Sequence, residues 1–186
     1  MIGDLPPLGT VAGYEERYKI AQLRADKEDV VKARANLIRM HKDRYMKVEA
    51  ATGVPWYIIA CIHNQESGRD VGIFQACLHN GERIIGTGKK TTLVPKDRGP
   101  FYTWEEAAID ALNGRSMPPN WSLGEALLWC ERYNGRGYLK RGIASPYIWA
   151  MTDQYTKGHY VADGKFDANA VSKNFGIVAI LKALGV

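Results

Sequence analysis

The stretch "TGVPWYIIACIHNQESG", residues 52–68, decides the reading of this chain. It runs apolar for most of its length and then finishes on Gln65, Glu66, Ser67 and Gly68. At about 100° per residue, Pro55, Ile58, Ile59 and Ile62 share one helical face, and Glu66, one turn beyond Ile62, stays on it. Thr52 is placed to cap this helix, Pro55 falls in its first turn, and Gly68 stops it. A carboxyl group set on that apolar face loses hydration, which favours its protonated form, as a proton donor requires. On spacing alone Glu66 reads first as a helix-end carboxylate paired with a base such as Arg69, and second as a general acid.

Outward from this helix, residues 14–50 read as helical scaffold in two pieces, broken near residues 26–29. Val30, Val31, Leu37, Ile38, Tyr45 and Val48 recur at helical spacing among charges on the opposite face. Residues 70–99 change character: Gly and Lys become frequent, and "VGIFQACL", "RIIG" and "TTLVP" read as short strands in a small lobe between helices. Helices then return. "TWEEAAIDALNG" carries a capping box at Thr103 and Glu106, and "SLGEALLWCERYNG" repeats the device at Ser122 and Glu125. "SPYIWAMTDQY" opens on Ser145 and Pro146. Asn169 is placed to cap a closing amphipathic helix containing Val171, Phe175, Val178, Leu181 and Leu184. Trp56, Trp104 and Trp129 fall inside helical patterns and read as core. The fold class is mainly α, of the α+β kind, with one small β-rich lobe. At 186 residues the chain reads as a single domain, residues 1–50 being an N-terminal helical extension packed on it.

Composition narrows the function classes. With 46% hydrophobic and 24% charged residues, the chain is neither disordered nor low in complexity. The net charge of +5 favours polyanionic partners such as an acidic membrane surface, nucleic acid or a bacterial wall polymer. The lysines and arginines are spread and mixed with 20 acids rather than gathered on one helix, which speaks against a nucleic-acid binder. Cys61, Cys77 and Cys130 are odd in number and widely spaced, with no CxxC pair, so neither a disulfide framework nor a zinc site is expected. His79 lacks a second His or Cys at ligand spacing, so neither metal nor cofactor is expected. The first 19 residues show no signal peptide, and no run approaches a membrane span.

Several motifs, taken together, resemble the goose-type lysozymes and lytic transglycosylases, and more closely the small lysozyme-like endolysins of bacteriophages. They are "TGVPWYIIACIHNQES", "LHNGERI" leading to "FYTWEEAAIDAL", "ERYNGRGY", and "SPYIWAMTDQYTKGHYVADGKFD", which together span roughly residues 53–167. The resemblance implies a lysozyme-like helical domain whose small lobe forms one wall of a cleft. It implies Glu66 as the catalytic glutamate, and it implies that the "YNG" segment, with Tyr133 and Asn134, lines the sugar cleft. "VGIFQ" is a loose counterpart of the transglycosylase "GLMQ", and Glu82 stands where the phage group carries an aspartate.

Glycosidic cleavage needs a proton donor and, in most enzymes, a second carboxylate. Glu82 is the first candidate for that second role, Asp70 a nearer one in sequence that reads equally as a turn residue, and Asp97 a remote third. Gln75, His79, Asn80, Tyr147 and Tyr155 are candidate sugar contacts beside Tyr133 and Asn134. Without a second carboxylate, Glu66 acts first as acid and then as base, and the sugar's C6 hydroxyl attacks to leave a 1,6-anhydro end. The expected activity is cleavage of the MurNAc-GlcNAc β-1,4 strand of peptidoglycan by a monomer without stable membrane insertion. The resemblance further implies release from the host cytoplasm through a holin-opened membrane, or carriage on the virion. The alternative from a different class is a non-catalytic wall-polysaccharide-binding module.

Overall fold

The computed structural model describes residues 5–186; residues 1–4 of the leader lie outside them. Among the described residues the chain forms α1 (Val11–Ile20), α2 (Glu28–Met40), α3 (Lys42–Thr52), α4 (Trp56–Ser67), α5 (Trp104–Leu112), α6 (Leu123–Asn134), α7 (Pro146–Trp149), β1 (His159–Ala162), β2 (Lys165–Asp167) and α8 (Ile177–Leu184). The mainly helical class is as expected. The chain divides into two compact units, Met1–Ala33 with Met117–Val186, and Arg34–Ser116.

In the unit Arg34–Ser116, α4 is the central element. Residues 58–64 are all buried, so this helix is covered on every side rather than along one stripe. Its start differs from expectation. Thr52 belongs to the last turn of α3, where its hydroxyl donates to Val48 O at 2.8 Å, and Gly53 closes α3 at φ +73°. Pro55 takes the cap position of α4 without any side-chain cap. The end of α4 at Ser67 and Gly68 is as read. α5 carries the expected capping box: the Thr103 hydroxyl accepts from Glu106 N–H while the Glu106 carboxylate accepts from the backbone of Thr103. Arg44 grips Glu105 through two 2.7 Å bonds and thereby fastens α3 to α5.

The strands expected in residues 70–99 do not form; this segment is a chain of turns. Phe74 explains the first failure. It adopts φ +60°, a region β-strands never use, and its ring is buried against His41, Tyr45, His63 and Trp104. Burial of that ring outweighs the β-propensity of its neighbours. Further on, Gly81, Gly86, Gly88 and Gly99 also hold positive φ, which punctuates the segment too often for a ladder. Its own small core is Cys77, Ile84, Phe101 and Ala107.

In the other unit, α1 packs on α6 at a spacing only glycine permits. A Cβ on Gly124 would stand 2.5 Å from Val11 O. The Ser122 hydroxyl accepts from Glu125 N–H, which is one half of the box expected there, and α6 ends before Gly135 as read. The opening helical region is cut earlier than residues 26–29: α1 ends at Ile20, a single 3-10 turn covers Ala25–Lys27, and His41 makes a second break. α8 starts only at Ile177. Asn169, expected as its cap, instead follows β2, where its N–H donates to Asp167 and its amide oxygen accepts from Lys157. Gly176 sets the later start, because a Cβ there would meet Ala150 O at 2.4 Å. The one sheet among the described residues is the antiparallel hairpin β1–β2, at residues 159–167 rather than in the 70–99 region. Trp104 and Trp129 are core as expected, whereas Trp56 is half-buried under the Lys42 ammonium.

Candidate functional site

Glu66 sits half-buried on the last turn of α4. Its backbone is held from two directions. Arg34 Nη1 donates to Asn64 Oδ1 at 3.2 Å and to Gly68 O, so one guanidinium clamps the residues two before and two after Glu66. A cation here also suits the negative end of the helix dipole. From the other direction comes the turn of Asn80, Gly81 and Glu82: a Cβ on Gly81 would stand 3.2 Å from Glu66 O. The structure therefore brings the "HNGE" turn against the helix end that carries Glu66.

Behind Glu66 lies a buried polar chain. Tyr45 Oη meets His63 Nδ1 at 3.0 Å, and His63 Nε2 meets Asp70 Oδ2 at 3.4 Å. Asp70 also accepts the Ala76 N–H at 2.8 Å. Burial holds His63 below its ordinary pKa, against the pull of Asp70. For Asp70 burial pushes upward, but the His63 and backbone N–H bonds prevail and keep the carboxyl low. A neutral His63 donating through Nε2 and accepting from Tyr45 at Nδ1 satisfies both partners. Asp70, weighed above as a second carboxylate, is 2% exposed and serves as the anchor of this chain.

Glu82 is engaged just as fully. Its carboxylate accepts from the Thr92 hydroxyl at 2.6 Å, the Thr92 N–H at 2.9 Å, the Leu93 N–H at 3.1 Å and the Asn80 amide at 2.8 Å. The Thr92 hydroxyl first, then these other donors, hold it below the usual carboxylate range. Glu82 therefore pins the loop around residue 92. Gln75 is exposed and accepts from Arg83 at 2.8 Å. His79 Nε2 meets Asp110 at 2.7 Å, and Arg98 Nε grips the same carboxylate oxygen at 2.8 Å. Burial lowers the His79 pKa, opposed by Asp110. The three line a cavity of about 290 Å³. Asp97 stands at φ +62° in the loop, its N–H donating to Thr91 O.

Tyr133, Asn134 and Tyr147 belong to the other compact unit. Tyr133 is half-buried with its ring 5.6 Å from Trp129, which in turn meets Trp121 at 5.3 Å. Asn134 is exposed and Tyr147 half-buried. Tyr155 is 4% exposed; it donates to Gly158 O and accepts from Ser172 N–H, which makes it a core strut.

Sequence reasoning missed two residues. Arg34 reads from the sequence only as part of a helical scaffold. Glu131 lies in the same α6 turn as Tyr133 and is fully buried. Tyr14 Oη donates to its Oε2 at 3.2 Å, while Oε1 has no hydrogen-bond partner. Burial pushes Glu131 up to about 7, against the pull of Tyr14 and Arg136. An acid inside "LLWCERY" was the available signal, since an isolated carboxylate within an apolar helical run needs a partner. The three cysteines are buried and free, and burial pushes the Cys77 thiol up to about 11, which leaves it unreactive.

No group of three or more His, Cys, Asp or Glu side chains among the described residues is placed to hold a metal ion. No helix among them is long and apolar enough to cross a membrane. Neither family models, nor curated proteins, nor solved structures match this chain, so what bears on its function is the chemistry of these residues.

Proposed function

We propose that this chain is a peptidoglycan-cleaving glycosidase of the lysozyme-like kind, with Glu66 as its general acid and base. The observation that carries the reading is the framing of Glu66. The end of the covered helix that carries the Glu66 carboxyl is fixed by the Arg34 clamp on Asn64 and Gly68 O and by the Gly81 turn against Glu66 O, the rigid backbone support a proton donor needs. Glu66 donates its proton to the glycosidic oxygen as the C–O bond breaks and positive charge develops on the sugar. Glu82, whose carboxyl pKa its donors hold low, follows Gly81 in the turn that meets Glu66 O.

The saturation of Glu82 by four donors favours a second version of the chemistry. Freeing that carboxylate to activate water would break these charge-assisted hydrogen bonds. The single-glutamate route avoids this: deprotonated Glu66 takes the proton of the sugar's C6 hydroxyl, and a 1,6-anhydro end forms. In either version the substrate is the MurNAc-GlcNAc strand. The resemblance to phage endolysins supports a route from the host cytoplasm, or from the virion, to the wall.

Mass spectrometry of Gram-negative peptidoglycan digested with wild type and with Glu66→Gln tests the reading. Wild type is expected to release soluble fragments, and the variant to lose about 100-fold or more of that rate. Reducing muramic ends identify hydrolysis, and ends one water lighter identify the anhydro route. No release by wild type, or equal release by Glu66→Gln, overturns the assignment and favours a wall-binding module without catalysis.

A further inference from the structure

In the unit that contains α6 and the hairpin, a cavity of about 480 Å³ opens beside the end of α6. Its volume falls within the ~300–1,000 Å³ of small-ligand sites. Its walls are Asn134, Gly137 and Tyr138 on one side and His159, Tyr160 and Asp163 of the hairpin on the other. The rings are locked in place. Tyr138 Oη meets His159 Nδ1 at 3.2 Å and accepts the Tyr160 N–H at 3.2 Å. Arg141 Nε donates to Tyr160 Oη at 3.1 Å while its guanidinium covers the Phe166 ring at 4.3 Å. Tyr138 and Tyr160 meet edge to face at 5.1 Å. Gly137 allows the closure, because a Cβ there would touch Tyr160 Oη at 3.1 Å.

Three polar groups of this wall make no side-chain hydrogen bond to other described residues: the Asn134 amide, His159 Nε2 and the Asp163 carboxylate. An amide that both donates and accepts, a carboxylate that accepts from hydroxyls, and an imidazole N–H or N, set around aromatic rings, match the surface of a pyranose. Its hydroxyls and acetamido group need such partners, and its C–H face needs a ring. A hydrophobic ligand would strand these polar groups, and an anion would face Asp163.

We propose that the cavity between the end of α6 and the β1–β2 hairpin is a pyranose-binding subsite, with Asp163, His159 and Asn134 as hydrogen-bonding groups and Tyr160 as an aromatic wall. This deepens the glycosidase reading and rests on it for the identity of the sugar, an N-acetylated hexose of the wall strand. It gives the hairpin a role in holding the glycan.

The test is binding of chitotetraose to the whole chain, by calorimetry and by the imidazole resonances of His159, for wild type, Tyr160→Ala, Tyr160→Phe and Asp163→Asn. Wild type is expected to bind saturably with His159 shifts, Tyr160→Ala and Asp163→Asn to bind about tenfold more weakly, and Tyr160→Phe to keep most of the affinity. Thermal unfolding of each variant separates loss of binding from loss of fold. Unchanged affinity in folded variants, or binding without His159 shifts, overturns the proposal. So does a His159 response to a sugar-free stem peptide but not to chitotetraose, which makes the cavity a peptide site. Fragment release that depends on Glu66 is measured separately, so this subsite can fail while the glycosidase reading stands, and the reverse.

Discussion

Glu131 holds an acid in an environment that disfavours its charged form. Its carboxyl is fully buried, with the Tyr14 hydroxyl on one oxygen and the Ser145 hydroxyl and Arg136 as the other polar neighbours. Its pKa rises from 4.5 to about 7 on folding. Because the folded value is the higher one, its contribution to stability is fully present below pH 4.5 and is lost as pH rises to about 7. The loss is on the order of 3 kcal/mol, at 1.36 kcal/mol per pKa unit. Urea unfolding across this range is expected to show Glu131→Gln gaining on wild type as pH rises from 5 to 8. A constant difference between the two would refute the buried acid as the source of the pH dependence. Asp70 works with the opposite sign: its depressed pKa adds stability above the unfolded value that fades only in acid. Glu66 and Glu131 are both glutamates at the end of apolar helices, and sequence periodicity singled out the first alone. The difference lies in what else packs there, which periodicity does not carry.

Among the elements, the caps of α5 and α6 were legible, whereas the starts of α4 and α8 and the strands were not. The Thr103 box and the Ser122 cap follow from local hydrogen bonding between residues three apart, so the sequence contains all the partners. The region 70–99 reads as strands from its β-branched and aromatic residues, yet two of its turns answer to partners well outside the turn. Phe74 turns to reach Trp104, and the loop at residue 92 turns to reach Glu82. The α1–α6 contact is likewise non-local, and Gly124 is its hinge point. Gly124→Ala is expected to cost about 2–3 kcal/mol, because its Cβ meets backbone at Val11 O and not a side-chain tip that can swing away. Differential scanning calorimetry measures it, and a neutral or stabilised variant would show that α1 does not approach α6 this closely.

For the molecule as a whole, the proposed glycosidase reading makes the net charge of +5 bear on how the chain meets the anionic wall polymer. Screening shortens from about 8 Å at physiological salt to about 3 Å at 1 M. If attraction to the wall speeds the encounter, fragment release from whole sacculi is expected to fall several-fold between these conditions. Cleavage of a short uncharged chito-oligosaccharide is expected to change far less, and an equal response of the two substrates would remove charge from the account.

The sequence by itself determined the helical class, the end of α4, the caps of α5 and α6, and the place of Glu66 on the last turn of α4. These depend on periodicity and on bonds within a few residues, which a linear chain carries in full. Only the tertiary structure decided that Glu82 is a latch, that Asp70 anchors His63, that Arg34 clamps the end of α4, and that the sheet is the hairpin at residues 159–167. Each of those depends on partners far along the chain, or on a ring or glycine whose neighbours exist only after the chain has packed.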